Sequence, residues 1–186
     1  MGKASFALLA LGLAATSARA QTRINGAGAT FPQIIYQDWI TTYNTAHPSV
    51  QLNYQGIGSG GGIKQYSEGT VDFGASDAPM TDSAISVVHG DVLHIPMVMG
   101  GVLPTYNVPD VATPLKFTGE VLAGIYLGTI TKWDDPALKA INPGLNLPST
   151  PIAVIFRSDK SGTTANFQKY LDGASNGAWG KGASET

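Results

Sequence analysis

Cysteine is absent from this 186-residue chain. That excludes a disulfide framework and a thiolate metal site. Charge is scarce as well: Asp, Glu, Lys and Arg make up 13% of the residues, against 43% for apolar types. Such a balance describes a globular chain able to bury a core, not a disordered one. Arginine is scarcer still, occurring at Arg19, Arg23 and Arg157. No apolar run is long enough to span a bilayer. The length admits one domain or two small ones.

What is present begins with a leader. Lys3 gives a positive start, Phe6 to Ala15 form an apolar core, and Ala18-Arg19-Ala20 fits a small-x-small cleavage site. Residues 1–20 therefore read as a secretory signal peptide. Its removal takes two of the 11 basic side chains and no acid, leaving 9 bases against 13 acids, a formal charge of −4. An acidic exported chain repels nucleic acid and anionic membranes alike, so neither is expected as a partner. With no cysteine beside the cleavage site to carry a lipid, the expected location is a periplasm.

From there strands and helices alternate. Thr22 to Gly28 opens as a strand, Pro32 suits the first position of a helix, and Ile35, Trp39 and Tyr43 repeat at helical spacing on the face expected to be buried. Val50 to Tyr54 alternates as a strand. The glycine-rich run Gln55 to Gly62 then leads into a helix expected over 63–67. Thr70 to Ala75 is a third strand, followed by a polar helical stretch around 82–88. Leu93 to Leu103 is almost wholly apolar and reads as a buried strand entering a second lobe. Pro104, Pro109 and Pro114 interrupt the pattern, which places a lobe boundary there. Helices are expected over 118–126 and from Pro136 through Ile141, with Asp134-Asp135 at the start of the latter. After a loop over 142–151, Ile152 to Phe156 reads as a buried strand and Ala165 to Leu171 as a helix. The expected fold class is α/β with largely parallel strands, residues 21–103 forming a first lobe and 104–186 a second.

Three strand-to-helix loops share one chemistry. Thr30-Phe31, Ser59-Gly60 and Ser161-Gly162-Thr163 each place a hydroxyl and free N–H groups at a helix mouth, where the helix dipole favours an anion. One such loop is ordinary capping; three, together with Arg157 and the strand-end Asp77, are more than capping requires. Competing motifs fall away. Gly56-x-Gly58-x-x-Gly61 follows a strand and has Asp77 downstream, as a dinucleotide site would, but export and the density of glycine weaken it. A P-loop fails because Ile63 precedes Lys64 and Gln65 follows it. Lys160-Ser161-Gly162 lacks the S-x-x-K partner of serine acylases. A nucleophile elbow fails at Ile57. His47, His89 and His94 have no metal spacing and read as loop or surface residues.

Five segments, taken in order, resemble one family: G-A-G-A-T-F-P (26–32), Y-Q-G-I-G-S-G-G-G (54–62), V-D-F-G-A-S-D-A-P (71–79), I-Y-L-G-T-I-T-K-W-D-D-P (125–136) and R-S-D-K-S-G-T-T (157–164). The family is that of the periplasmic phosphate-binding components of phosphate-specific ABC transporters. The resemblance implies two α/β lobes hinged over a bound anion, inorganic phosphate as ligand, membrane permease subunits as partners, and neither cofactor nor catalysis. It places phosphate contacts at Thr30, Phe31, Ser59, Asp77, Arg157, Ser161, Gly162 and Thr163, with Asp159 paired to the arginine. Gly60 stands where the family often has a second serine, and Lys160 replaces a small residue of the binding loop. The family chain also runs well past Thr186, so a partial second lobe is expected, without the return to the first.

Asp77 is the unusual member of this set, a negative group facing an anion. A carboxylate only accepts hydrogen bonds, so it demands a proton on the ligand. Mono- and dibasic phosphate carry one and sulfate does not, so Asp77 is expected to reject sulfate; its simpler role would be capping the turn before Pro79. Two alternatives remain open on the residues: an exported enzyme acting on phosphate esters, and a binding protein for another tetrahedral oxyanion such as arsenate.

Overall fold

The computed structural model describes residues 21–186. The expected signal peptide, residues 1–20, lies outside the described residues. Three strands and six helices follow in the order β1 (Thr22–Gly28), α1 (Gln33–Ala46), β2 (Val50–Gly56), α2 (Ser59–Ser67), β3 (Phe73–Ala75), α3 (Asp82–Ile85), α4 (Gly119–Tyr126), α5 (Pro136–Ile141) and α6 (Gly162–Ala174). The strands form one parallel sheet in the order β2-β1-β3. Thr22 is in register with Val50, and Gly28 with both Gly56 and Ala75. Parallel pairing needs a crossover, and α1 and α2 supply the two.

Central β1 ends in the buried residues Gly26, Ala27 and Gly28, with buried Ala29 after it. Small residues are required there because α2 lies directly on the strand. A Cβ on Gly62 would stand 2.4 Å from the Gly28 Cα and 2.7 Å from the Ala27 carbonyl oxygen. Tyr54 of β2 ties the sheet to α1: its ring lies 6.1 Å from Phe73 of β3 and 5.0 Å from Tyr36 of α1, and its hydroxyl donates to the Ala29 carbonyl at 2.6 Å.

Helix α1 ends at His47 as expected, but two of its details differ. Pro32 is the N-cap and not the first helical residue. The stripe turned towards the sheet is Gln33, Tyr36, Ile40 and Asn44, while Ile35, Trp39 and Tyr43 are exposed. Asn44 decides the rotation, since its amide both donates to the Leu52 carbonyl and accepts from the Leu52 N–H of β2. Helix α2 also starts earlier than expected, so Gly60, Gly61 and Gly62 lie within its first turns and not ahead of it.

The second half packs around α4, in which Gly119 and every residue from Val121 to Ile125 are buried. Thr118 caps it by accepting from the Val121 N–H, and Glu120 complements the dipole in its first turn. One apolar cluster joins Val121 and Ile125 to Val108, Leu115, Leu138 and Leu147. A second joins Leu122 and Ala123 to Leu171 of α6 and to Trp179. Helix α5 starts at the expected acid, with Asp135 accepting from the Ala137 N–H. Among the described residues no helix is long and apolar enough to cross a membrane.

Two expected strands are not strands. Leu93 to Leu103 carries no strand hydrogen bonding; Met99 is 96% and Leu103 79% exposed. Ile152 to Phe156 keeps only its first residue tied, through the Ile152 N–H to the Thr131 carbonyl at 2.8 Å beside an isolated Lys132–Pro151 bridge. Ile152 and Val154 pack on the α4 cluster, but Ile155 is 82% exposed. Both runs have strand composition. A strand, however, is completed by a neighbour's N–H and C=O groups, and the sheet stops at β3.

Candidate functional site

In parallel sheets ligands gather outside the carboxyl ends of the strands. Here β1, β2 and β3 all end on one edge, delivering Thr30-Phe31, Ser59 and Asp77 to neighbouring positions. Helix α6 brings Ser161, Gly162 and Thr163 against them. Ser59 accepts from the Asp77 N–H at 3.2 Å, which seats the loop after β3 on the mouth of α2. Ser161 caps α6 by accepting from the Thr164 N–H. Both serines are 1% exposed. Because each hydroxyl is used as an acceptor, each keeps its own hydrogen to donate.

Asp77 joins the two halves. Its Oδ2 accepts from the Thr163 hydroxyl at 2.9 Å, and its carbonyl accepts from the Asn166 amide at 3.1 Å. Its Oδ1 is buried and has no hydrogen-bond partner. The carboxylate takes no local N–H, so the turn-capping role is not the one used. Gly162 permits this approach: a Cβ there would lie 2.4 Å from the Ser59 Oγ and 2.7 Å from the Asp77 Cβ. A helix beginning at Gly162 leaves the Gly162 and Thr163 N–H groups without intrahelical acceptors. Among the described main-chain bonds none is donated by Thr30 or Phe31. The Phe31 side chain is exposed, its ring near Gly100.

Arg157 spans the same gap. Its Nε donates to Asp159 Oδ1 at 2.6 Å and its Nη2 to Asp159 Oδ2 at 2.5 Å, a bidentate fork. Its Nη1 donates to the Thr30 hydroxyl at 3.2 Å. Three of five N–H donors are thus engaged, leaving one on each terminal nitrogen. The hydrogen bond from Arg157 holds the Asp159 carboxyl below the usual carboxylate range, and Asp159 in turn raises the guanidinium further. Burial, with a smaller contribution from Asp77, raises the Tyr36 phenol; burial, then Tyr36 and Asp77, raise that of Tyr54. Both therefore stay neutral beside the cleft.

The structure thus brings together Thr30, Ser59, Asp77, Arg157, Asp159, Ser161, Gly162 and Thr163, with the Phe31 main chain at the mouth of α1. Sequence reasoning missed Asn166, whose amide donates to the carbonyls of both Asp77 and Gly162. Its only local signal is its place one turn beyond Gly162. The two departures from the family pattern touch each other: the Gly60 N–H donates to the Lys160 carbonyl at 3.3 Å. Among the described residues no group of His, Asp and Glu could hold a metal ion. His94 instead accepts from the Met80 N–H, and His47 packs on Tyr43. An apolar cavity of about 360 Å³, walled by Leu103, Phe156, Phe167 and Trp179, adjoins Arg157 and Thr163.

Parallel strand ends meeting the mouths of α2 and α6 at one sheet edge place the chain in the α/β class. The PBP superfamily domain matches residues 14–186, and the chain belongs to that family. Among its relatives, the phosphate-binding protein PstS of Haemophilus influenzae is 46% identical over 178 residues, 95% of this chain and 52% of the relative. The phosphate-binding protein PstS2 of Mycobacterium bovis is 45% identical over 169 residues, 88% of this chain and 45% of the relative. The chain therefore spans about half the length of the curated relatives it matches. Two solved structures share the fold. One is a phosphate ABC transporter substrate-binding protein with bound phosphate from Clostridium perfringens, with a TM-score of 0.58 at 21% identity over 81% of this chain and 56% of that one. The other is an ABC-type phosphate transport receptor from Vibrio cholerae, with a TM-score of 0.52 at 25% identity over 82% and 56%.

Proposed function

We propose that this chain carries the binding cleft of a periplasmic phosphate-binding protein, which holds inorganic phosphate and delivers it to the permease of an ABC transporter. Residues 21–103 and 104–186 belong to the two lobes, the second in part. Thr30, Phe31, Ser59, Ser161, Gly162 and Thr163 supply hydroxyl and N–H donors, and Arg157, oriented by Asp159, supplies fixed charge. The relatives that are phosphate-binding proteins support this reading.

The observation that carries it is Asp77. Oδ1 is buried and has no hydrogen-bond partner. An acceptor at that place suits an anion that brings its own proton. Phosphate does so at neutral pH, and arsenate has the same protonation. Sulfate does not. Calorimetric titration of the protein with phosphate and with sulfate at neutral pH tests this. One-to-one phosphate binding without detectable sulfate binding is expected; equal uptake of both anions, or of neither, would sink it.

The Thr163–Asp77 hydrogen bond favours one second reading, because a hydroxyl held by a carboxylate is also how a phosphate-ester hydrolase would prepare a nucleophile. Turnover of a chromogenic phosphate ester, abolished by Thr163→Val, would replace the binding role with that activity.

A further inference from the structure

We propose that Gly60 sets how far the two halves of the molecule close, as a positioning residue that acts on the cleft through the turn Arg157–Lys160. The inference rests on the phosphate reading only for its ligand readout.

That turn is seated on α2 at two glycines. A Cβ on Gly60 would stand 2.5 Å from the Lys160 Cβ, 3.0 Å from its Cδ and 2.6 Å from Glu185 Oε2. The Glu185 carboxylate ends a flexible side chain and can swing aside. The Lys160 Cβ cannot, because it is fixed to the main chain. Carbon atoms rest at roughly 3.5–4.0 Å, so a methyl group at position 60 must drive the turn back by about 1 Å. The Gly60–Lys160 hydrogen bond, at 3.3 Å, is already longer than the common N–H···O distance and breaks first. Gly58 forms the rest of the seat. Its φ is +86°, and a Cβ there would lie 2.6 Å from Asp159 Oδ2 and 2.7 Å from the Lys160 carbonyl oxygen.

Retreat of the turn withdraws what is attached to it. Arg157 loses reach to Thr30, which it meets at 3.2 Å, and α6 carries Thr163 away from Asp77. The donors themselves are unchanged; only their convergence is lost. If the closed fraction falls to about a tenth, the apparent dissociation constant rises about tenfold.

The test is Gly60→Ala, alone and with Lys160→Gly. Alanine is the better helix former, so α2 itself is not weakened, and any fall in melting temperature reflects the displaced turn. The chain has no cysteine, so Lys64→Cys on α2 and Lys169→Cys on α6 provide a unique pair of spin labels. Gly60→Ala is expected to lengthen the label distance and to raise the dissociation constant for inorganic phosphate about tenfold. Adding Lys160→Gly, which removes the opposing Cβ, should restore both. An unchanged label distance in Gly60→Ala, or a double variant that stays open, would overturn the inference. If the parent fails to bind phosphate while the distance still responds to both substitutions, the closure role stands and the phosphate reading falls.

Discussion

Replacing Asp77 by asparagine is the sharpest perturbation available, because it changes hydrogen-bonding character at nearly constant shape. In the parent, Oδ2 is committed to the Thr163 hydroxyl at 2.9 Å, and Oδ1 is the buried acceptor left over. A sulfate oxygen placed there meets a second acceptor with no proton between them. Leaving a buried polar group unpaired costs about 1–3 kcal/mol, and more when it is charged. Sites built to pair one specific hydrogen reject the analogue lacking it by ~10⁴-fold, equivalent to about 5.5 kcal/mol. In Asp77→Asn the amide oxygen can keep the Thr163 bond while the NH₂ group donates to the anion. The expected result is a sulfate affinity raised about 100-fold or more, with phosphate changed by less than about tenfold, so that the ratio between them collapses. Paired titrations of parent and variant with both anions, at one ionic strength, measure this. A variant that still ignores sulfate as strongly as the parent does would refute the proton-reading role of Asp77.

Arg157→Lys removes the planar fork that engages Asp159 and Thr30, and phosphate affinity is expected to fall by about 10- to 100-fold, since hydrogen bonds to charged groups contribute about 1.5–3 kcal/mol; titration calorimetry reads it. The Asp159 carboxyl is depressed by Arg157, so its stabilising contribution is present above the unfolded carboxylate range and is lost as pH falls through the lower folded value. The melting-temperature gap between parent and Asp159→Asn should therefore hold steady from about pH 6 to 8 and close below about pH 4. Leu138 is wholly buried in the α4 cluster, and Leu138→Ala should lower unfolding free energy by about 2–5 kcal/mol in urea melts. Tyr54→Phe strips the donor from the Ala29 carbonyl and should cost about 0.5–1.5 kcal/mol in the same assay.

Local rules predicted what is locally enforced. Thr118, Asp135 and Ser161 cap α4, α5 and α6 as their positions in the sequence require, because a cap bonds N–H groups two or three residues away. Strands β1 and β2 were equally plain. The inward face of α1 was missed by one position: the aromatic repeat Ile35-Trp39-Tyr43 outweighed Asn44, whose amide finds its partners only once β2 lies alongside. The candidate site was legible as three hydroxyl-bearing loops, an arginine and an acid. Asn166 was not, because its partners are carbonyls of residues that meet only in the fold.

The sequence by itself determined the α/β class, the helix caps and which loops carry hydroxyl groups, since periodicity and capping are properties of short stretches. Tertiary structure alone decided the rest. Whether Leu93–Leu103 and Ile152–Phe156 become strands depends on a neighbour with free N–H and C=O groups, and β3 ends the sheet before either is paired. How Asp77, Thr163, Arg157 and Thr30 converge depends on contacts up to 127 residues apart, which no short stretch encodes. The closeness of that convergence rests on the bare backbone of Gly60, Gly62 and Gly162, where a single methyl group would hold the parts of the site apart.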